Sequence, residues 1–105
     1  MVRVKEEQFR KLALALPEVV EGAHMNHPDF RVRGRIYATL LPDAGQAMVS
    51  LTPEQQAAWV ERDPEVFEPA AGAWGRKGST LINLPLAKPA SVKQALREAW
   101  EHQAR

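Results

Sequence analysis

The chain has 105 residues and no cysteine, which excludes disulfide staples, thiolate zinc sites and thiol redox chemistry. No apolar run approaches the roughly 20 residues that a membrane helix needs. The opening Met1-Val2-Arg3-Val4-Lys5-Glu6-Glu7 turns charged at once, unlike a secretory leader. The expectation is a bacterial-type cytoplasmic protein with no membrane association. Excess charge of one sign is also missing: 14 Lys and Arg stand against 13 Asp and Glu, a net charge of +1. A domain that coats polyanions is far more basic. Phosphate-loop and dinucleotide fingerprints are absent, and Ser50, Ser79 and Ser91 lie in no motif that supplies a histidine and a carboxylate. No catalytic residue, metal or cofactor is expected, and the chain does not read as an enzyme.

What is there suits one folded unit. A hydrophobic content of 45% with 26% charged residues is ordinary for a single domain, and no repeat or low-complexity tract divides residues 1–105. At this size folding buries about 60–70% of the surface of the unfolded chain, enough for a core without metals or staples.

The most informative stretch is Pro28-Asp29-Phe30-Arg31-Val32-Arg33-Gly34-Arg35-Ile36-Tyr37-Ala38-Thr39-Leu40. Period-two alternation sends Phe30, Val32, Ile36, Ala38 and Leu40 inward and leaves Arg31, Arg33, Arg35 and Tyr37 outside. Pairing Val32 with Ile36 on the core side requires an odd loop, so Arg33-Gly34-Arg35 is the expected turn. A two-residue turn is disfavoured because it pairs Val32 with Arg35 and places an arginine in the core. A second basic turn, Trp74-Gly75-Arg76-Lys77-Gly78, precedes another apolar run. Glu54, Glu61, Asp63, Glu65 and Glu68 face Arg62 alone in their segment, so charge is distributed unevenly.

Around these motifs the pattern is helix, four strands, helix, strand, helix. Phe9, Leu12, Ala13 and Leu16 recur at helical spacing over 5–16, and Pro17 stops them. Strands are expected at 19–25, in the two arms of the hairpin and at 46–51. Thr52-Pro53-Glu54-Gln55 is a capping-box helix start, with the helix running to Arg62. The segment 65–73 reads as irregular, 79–84 as a fifth strand, and 91–103 as a last helix capped by Ser91 and Gln94. The fold class expected is α+β: a two-layer single domain with an antiparallel sheet of about five strands packed on helices.

Leu12-Ala13-Leu14-Ala15-Leu16-Pro17 with Glu21-Gly22, Pro28-Asp29-Phe30-Arg31-Val32 with Gly34-Arg35-Ile36-Tyr37-Ala38, Trp74-Gly75-Arg76-Lys77-Gly78 and Ala99-Trp100 occur in an order that resembles the MmcQ/YjbR family of small bacterial proteins. The resemblance covers nearly the whole chain. It implies a CyaY-like fold and a DNA-binding role in which basic wings of the sheet meet the nucleic acid. One departure is Ser79, where relatives are expected to carry an aromatic.

Arg31, Arg33, Arg35, Arg76 and Lys77 are therefore the expected phosphate contacts, with Tyr37 and Trp74 as stacking rings. The competing assignment has the arginines solubilising a sheet edge and Trp74 filling the core, since large aromatics are mostly buried. His24, His27 and Asp29 have the chemistry of a divalent-cation set, but no fourth ligand accompanies them and a structural role is preferred. Glu18 and Glu21 read as solvent-facing. The functional expectation is a weak, non-sequence-specific nucleic-acid-binding monomer. The alternatives are a protein-interaction module, using the acidic 63–68 segment or the basic wings, and a small-anion binder with a cleft beside Trp74.

Overall fold

The computed structural model describes residues 4–105, so the first three residues of the charged opening Met1–Glu7 lie outside it. In chain order the elements are α1 (Glu6–Leu14), β1 (Val19–His24), β2 (His27–Val32), β3 (Arg35–Leu41), β4 (Gln46–Ser50), α2 (Pro53–Arg62), β5 (Phe67–Pro69), α3 (Gly72–Arg76), β6 (Ser79–Asn83) and α4 (Pro89–Gln103). The strands form one antiparallel sheet of six in the order β1-β2-β3-β4-β6-β5.

The sheet's two faces follow from the register. Phe30, Ala38, Val49, Thr80 and Ile82 lie on the helix-covered face and are fully buried. Phe9 of α1 meets Phe30 edge-on with ring centroids 6.1 Å apart, and Val92, Ala95, Leu96 and Ala99 of α4 complete the core. Trp59 of α2 packs on Phe67 and donates its indole N–H to Glu98 of α4 at 2.8 Å. The other face carries Gly22, Asp29, Thr39, Met48 and Leu81 in one cross-strand row.

Local chemistry explains most of the element ends. Thr52 Oγ1 accepts the Gln55 N–H at 3.1 Å while Gln55 Oε1 accepts the Thr52 N–H at 2.9 Å, the expected capping box. The first helix ends at Leu14, short of Pro17. The last helix begins two residues before Ser91, because Pro89 at its first position brings a backbone angle already suited to a helix; no side chain caps it. The strand beyond the five expected is β5, Phe67–Pro69, which lies inside the segment expected to be irregular. Three residues are too few to display an alternation, and its proline is tolerated because β5 is an edge.

The β2–β3 hairpin also departs from expectation. Its loop is the two-residue turn Arg33-Gly34, with φ of +53° and +80°, and Val32 does pair with Arg35. Arg35 nevertheless stays exposed, because it is the first residue of β3 at the end of the sheet. Above it a β-bulge lies opposite Phe30 and Arg31, with Arg31 pairing with Ile36 and Phe30 with Ala38. The extra residue is Tyr37. The bulge restores Ala38 and Leu40 to the core face and turns Tyr37 inward with them.

Candidate nucleic-acid interface

The short helix α3 and the turn that leads from it into β6 are set by two glycines that tolerate no side chain. A Cβ on Gly75 meets the Ala70 carbonyl oxygen at 1.7 Å, and a Cβ on Gly78, whose φ is +114°, meets that of Leu51 at 1.9 Å. Leu51 N–H donates to Gly78 O, and the buried Gln56 amide donates to both Gly75 O and Ser79 O at 2.9 Å. Close backbone approach on both sides of the dipeptide therefore leaves Arg76 and Lys77 projecting into water. The Lys77 and Gly78 amides are already bonded to carbonyls of Ala73, Trp74 and Gly75. An anion thus meets side-chain charge here, since the backbone N–H groups of these two residues are already engaged.

Trp74 stands in α3 with 71% of its surface exposed, which overturns the assignment of its ring to the core. Lys77 Nζ lies 5.9 Å from the indole centroid, at the outer limit of cation–π attraction. A cleft of about 210 Å³ adjoins them, lined among others by Ile36, Ser50, Ser79 and His102. β3 starts, β4 ends and β6 starts at this end of the sheet, so the topology brings the Trp74–Lys77 loop, the β3 start and the end of α4 together. His102 and Ser50 are the members that sequence reasoning missed. They come from elements far apart in the chain, and no linear spacing marks them.

The expected cations fare differently. Arg33 lies in the hairpin turn and, like Arg76 and Lys77, has no ion-pair partner among the described residues. Arg35 is exposed and donates from Nη1 to the main-chain oxygen of Arg105 at 3.2 Å. Arg31, two residues before Arg33 and on the helix-free face, is not a free cation. Its Nε and Nη2 donate to the two carboxylate oxygens of Asp29 at 2.8 and 3.2 Å. Tyr37 is a correction of a different kind: it is fully buried, its hydroxyl donates to the Ala13 carbonyl, and burial pushes the phenol pKa up. It has no face to offer a base.

Asp29 is the centre of a network that neither motif suggested. It is fully buried, and His24 Nδ1 lies 2.7 Å from its second oxygen. The Arg31 hydrogen bond holds its carboxyl below the usual carboxylate range against the opposing effect of burial, and His24 adds in the same direction. Gly22, cross-strand from Asp29, makes the room, since a Cβ there meets Asp29 Oδ1 at 3.0 Å and Arg31 Nε at 3.3 Å. The histidine pair of the cation set is thus divided in its chemistry. His24 is committed to Asp29, His27 Nδ1 is buried without a partner, and the ring centroids are 6.3 Å apart. Among the described residues no three His, Asp or Glu side chains gather in a way that holds a metal ion. Glu21, expected to face solvent, pairs with Arg10 of α1 at 2.6 Å.

A twisted antiparallel sheet with helices on one face and a basic, tryptophan-bearing end defines an α+β domain class. The YjbR family model matches residues 14–102, and the chain belongs to that family. A Deinococcus radiodurans protein, DR2400, whose crystal structure contains the DUF419 family-model domain, superposes with a TM-score of 0.77 at 15% identity, covering 93% of this chain and 77% of that one. That likeness is one of fold. No curated protein matches the sequence. Among the described residues no helix is long and apolar enough to cross a membrane.

Proposed function

We propose that this protein is a non-catalytic nucleic-acid-binding domain that holds phosphates through the basic end of its sheet, with low sequence specificity, as a cytoplasmic monomer. The observation that carries the reading is the turn from α3 into β6, in which Gly75 and Gly78 fix the backbone while Arg76 and Lys77, unpaired among the described residues, project beside an exposed Trp74. Arg33, in the hairpin turn at the β3 end, supplies a further unpaired charge. Phosphate contacts need cationic donors but no base-reading geometry, so affinity without strong sequence preference follows. The family resemblance supports the same role.

The test is charge reversal. Arg76→Glu with Lys77→Glu is expected to abolish binding of fluorescently labelled DNA at low salt with little change in the thermal midpoint, since both side chains are exposed and make no ion pair among the described residues. Retention of wild-type affinity in that double variant would falsify the reading. The cleft beside Trp74 favours a second reading, a small phosphate-bearing ligand seated against Lys77 and His102. A thermal-shift series with nucleoside phosphates separates the two, because only a specific ligand raises the midpoint by mass action.

A further inference from the structure

We infer, resting on the nucleic-acid reading above, that the cleft beside Trp74 takes one unpaired base, so that the protein binds single strands in preference to duplex. Of the three tryptophans, Trp59 is 4% exposed and Trp100 is half-buried with its indole N–H bonded to Pro17 O. Trp74 is the one of the three that stands mostly in solvent, on a segment whose shape the Gly75 and Gly78 approaches fix. Such a ring gains by stacking, and the site lacks only a flat apolar partner.

A base in duplex has both faces covered by its neighbours and shows only its edges and phosphates. Stacking on Trp74 therefore requires a base that is unpaired or extruded. The cleft agrees in size: at about 210 Å³ it falls below the roughly 300–1,000 Å³ of pockets that enclose a whole ligand, and suits one ring system entering from the side. The lining supplies polar groups for the rim of that ring. Ser50 Oγ is engaged only by long contacts, 3.4 Å to Ile36 O and 3.8 Å to Met48 Sδ, and is free to turn to a new partner. Ser79 and His102 face the same space. Lys77, loosely held over the indole at 5.9 Å, reaches the phosphate that follows the stacked base at little loss. Every base has a π-face, so the preference is for strandedness and carries little sequence information.

The experiment is fluorescence anisotropy with a labelled oligothymidylate, an oligouridylate of the same length and a duplex of that length, on wild type, Trp74→Ala and Trp74→Phe. Wild type is expected to favour both single strands over duplex. Trp74→Ala is expected to weaken single-strand binding by about 5- to 150-fold while leaving duplex binding nearly unchanged, and Trp74→Phe to retain most of it. Thermal unfolding of the variants checks that an exposed residue has been changed without loss of fold. Equal binding of single strand and duplex, unmoved by Trp74→Ala, overturns this inference and leaves the phosphate-contact reading standing. Failure of every nucleic acid to bind overturns both. Thymidine monophosphate competing at the concentration of oligothymidylate also overturns it, in favour of a small phosphate-bearing ligand.

Discussion

Salt dependence gives the sharpest test of which cations meet nucleic acid. Each phosphate neutralised by a Lys or Arg contributes about −0.7 for single strands to −0.9 for duplex to the slope of log affinity against log salt concentration. Arg33, Arg76 and Lys77 are exposed and unpaired among the described residues, whereas Arg31 is held by Asp29 through two hydrogen bonds and Arg35 is turned to Arg105 O. Three contacts give a slope of about −2.1 to −2.7, a loss of about 20- to 40-fold in affinity between about 50 and 200 mM salt. Had all five cations of the two motifs been engaged, the slope would be about −3.5 to −4.5 and the loss about 130- to 500-fold. The assay is anisotropy at four or more salt concentrations on wild type, Lys77→Ala and Arg31→Gln, with thermal unfolding of each as a control. Lys77→Ala is expected to reduce the slope by about 0.7–0.9, and Arg31→Gln to leave it unchanged. A slope near zero refutes phosphate contact. A slope near −4, or an Arg31→Gln effect equal to that of Lys77→Ala, refutes the assignment of Arg31 to Asp29.

Three further outcomes concern the scaffold. Gly78→Ala combines a φ of +114° with a Cβ placed 1.9 Å from Leu51 O, and is expected to cost about 2–3 kcal/mol or more, lowering the thermal midpoint by about 8–24 °C. Gly34→Ala, also at positive φ but with nothing within 4 Å of the added methyl, costs only about 1 kcal/mol; similar midpoints for the two alanine variants contradict the close-approach argument. Tyr37→Phe removes a buried hydroxyl's bond to Ala13 O and is expected to cost about 1–2 kcal/mol in a melt; an unchanged midpoint contradicts the buried bond. Asp29 has a folded-state pKa below its unfolded value, so its stabilisation is fully present above about pH 4 and is lost as pH falls through the folded value. Melts of Asp29→Asn are accordingly expected to be less stable at neutral pH and flatter on acidification than wild type, and parallel pH profiles contradict the assignment.

Much of the fold was legible because it is written in local patterns. The apolar spacing of α1 and α4, the Thr52-Pro53-Glu54-Gln55 cap and the alternation through β2 and β3 each have a short-range physical cause, and the elements formed where those causes act. The hairpin loop misled because parity reasoning assumes a regular ladder. A single bulge at Tyr37 changes the parity within the strand, and no residue type announces it. For the same reason Tyr37 was placed outside, although it bonds to Ala13. At the site, the two basic motifs were visible as charge, but which charges remain free depends on Asp29, Gly22 and His24 meeting Arg31 across two strands. Trp74 was ambiguous by composition, since its exposure is decided by the backbone packing of the glycine next to it.

The clamped segment 72–78, α3 and the turn after it, divides its labour between positions. Gly75 and Gly78 dictate where the chain goes, and positions 74, 76 and 77 carry the ring and the charges that this segment offers a ligand. Replacing the ring or the charges there exchanges recognition without redrawing the scaffold, so relatives are free to diverge in what they bind while keeping the same tip. Engineering can use that freedom: a library confined to those three exposed sites explores new ligands with the fold held constant.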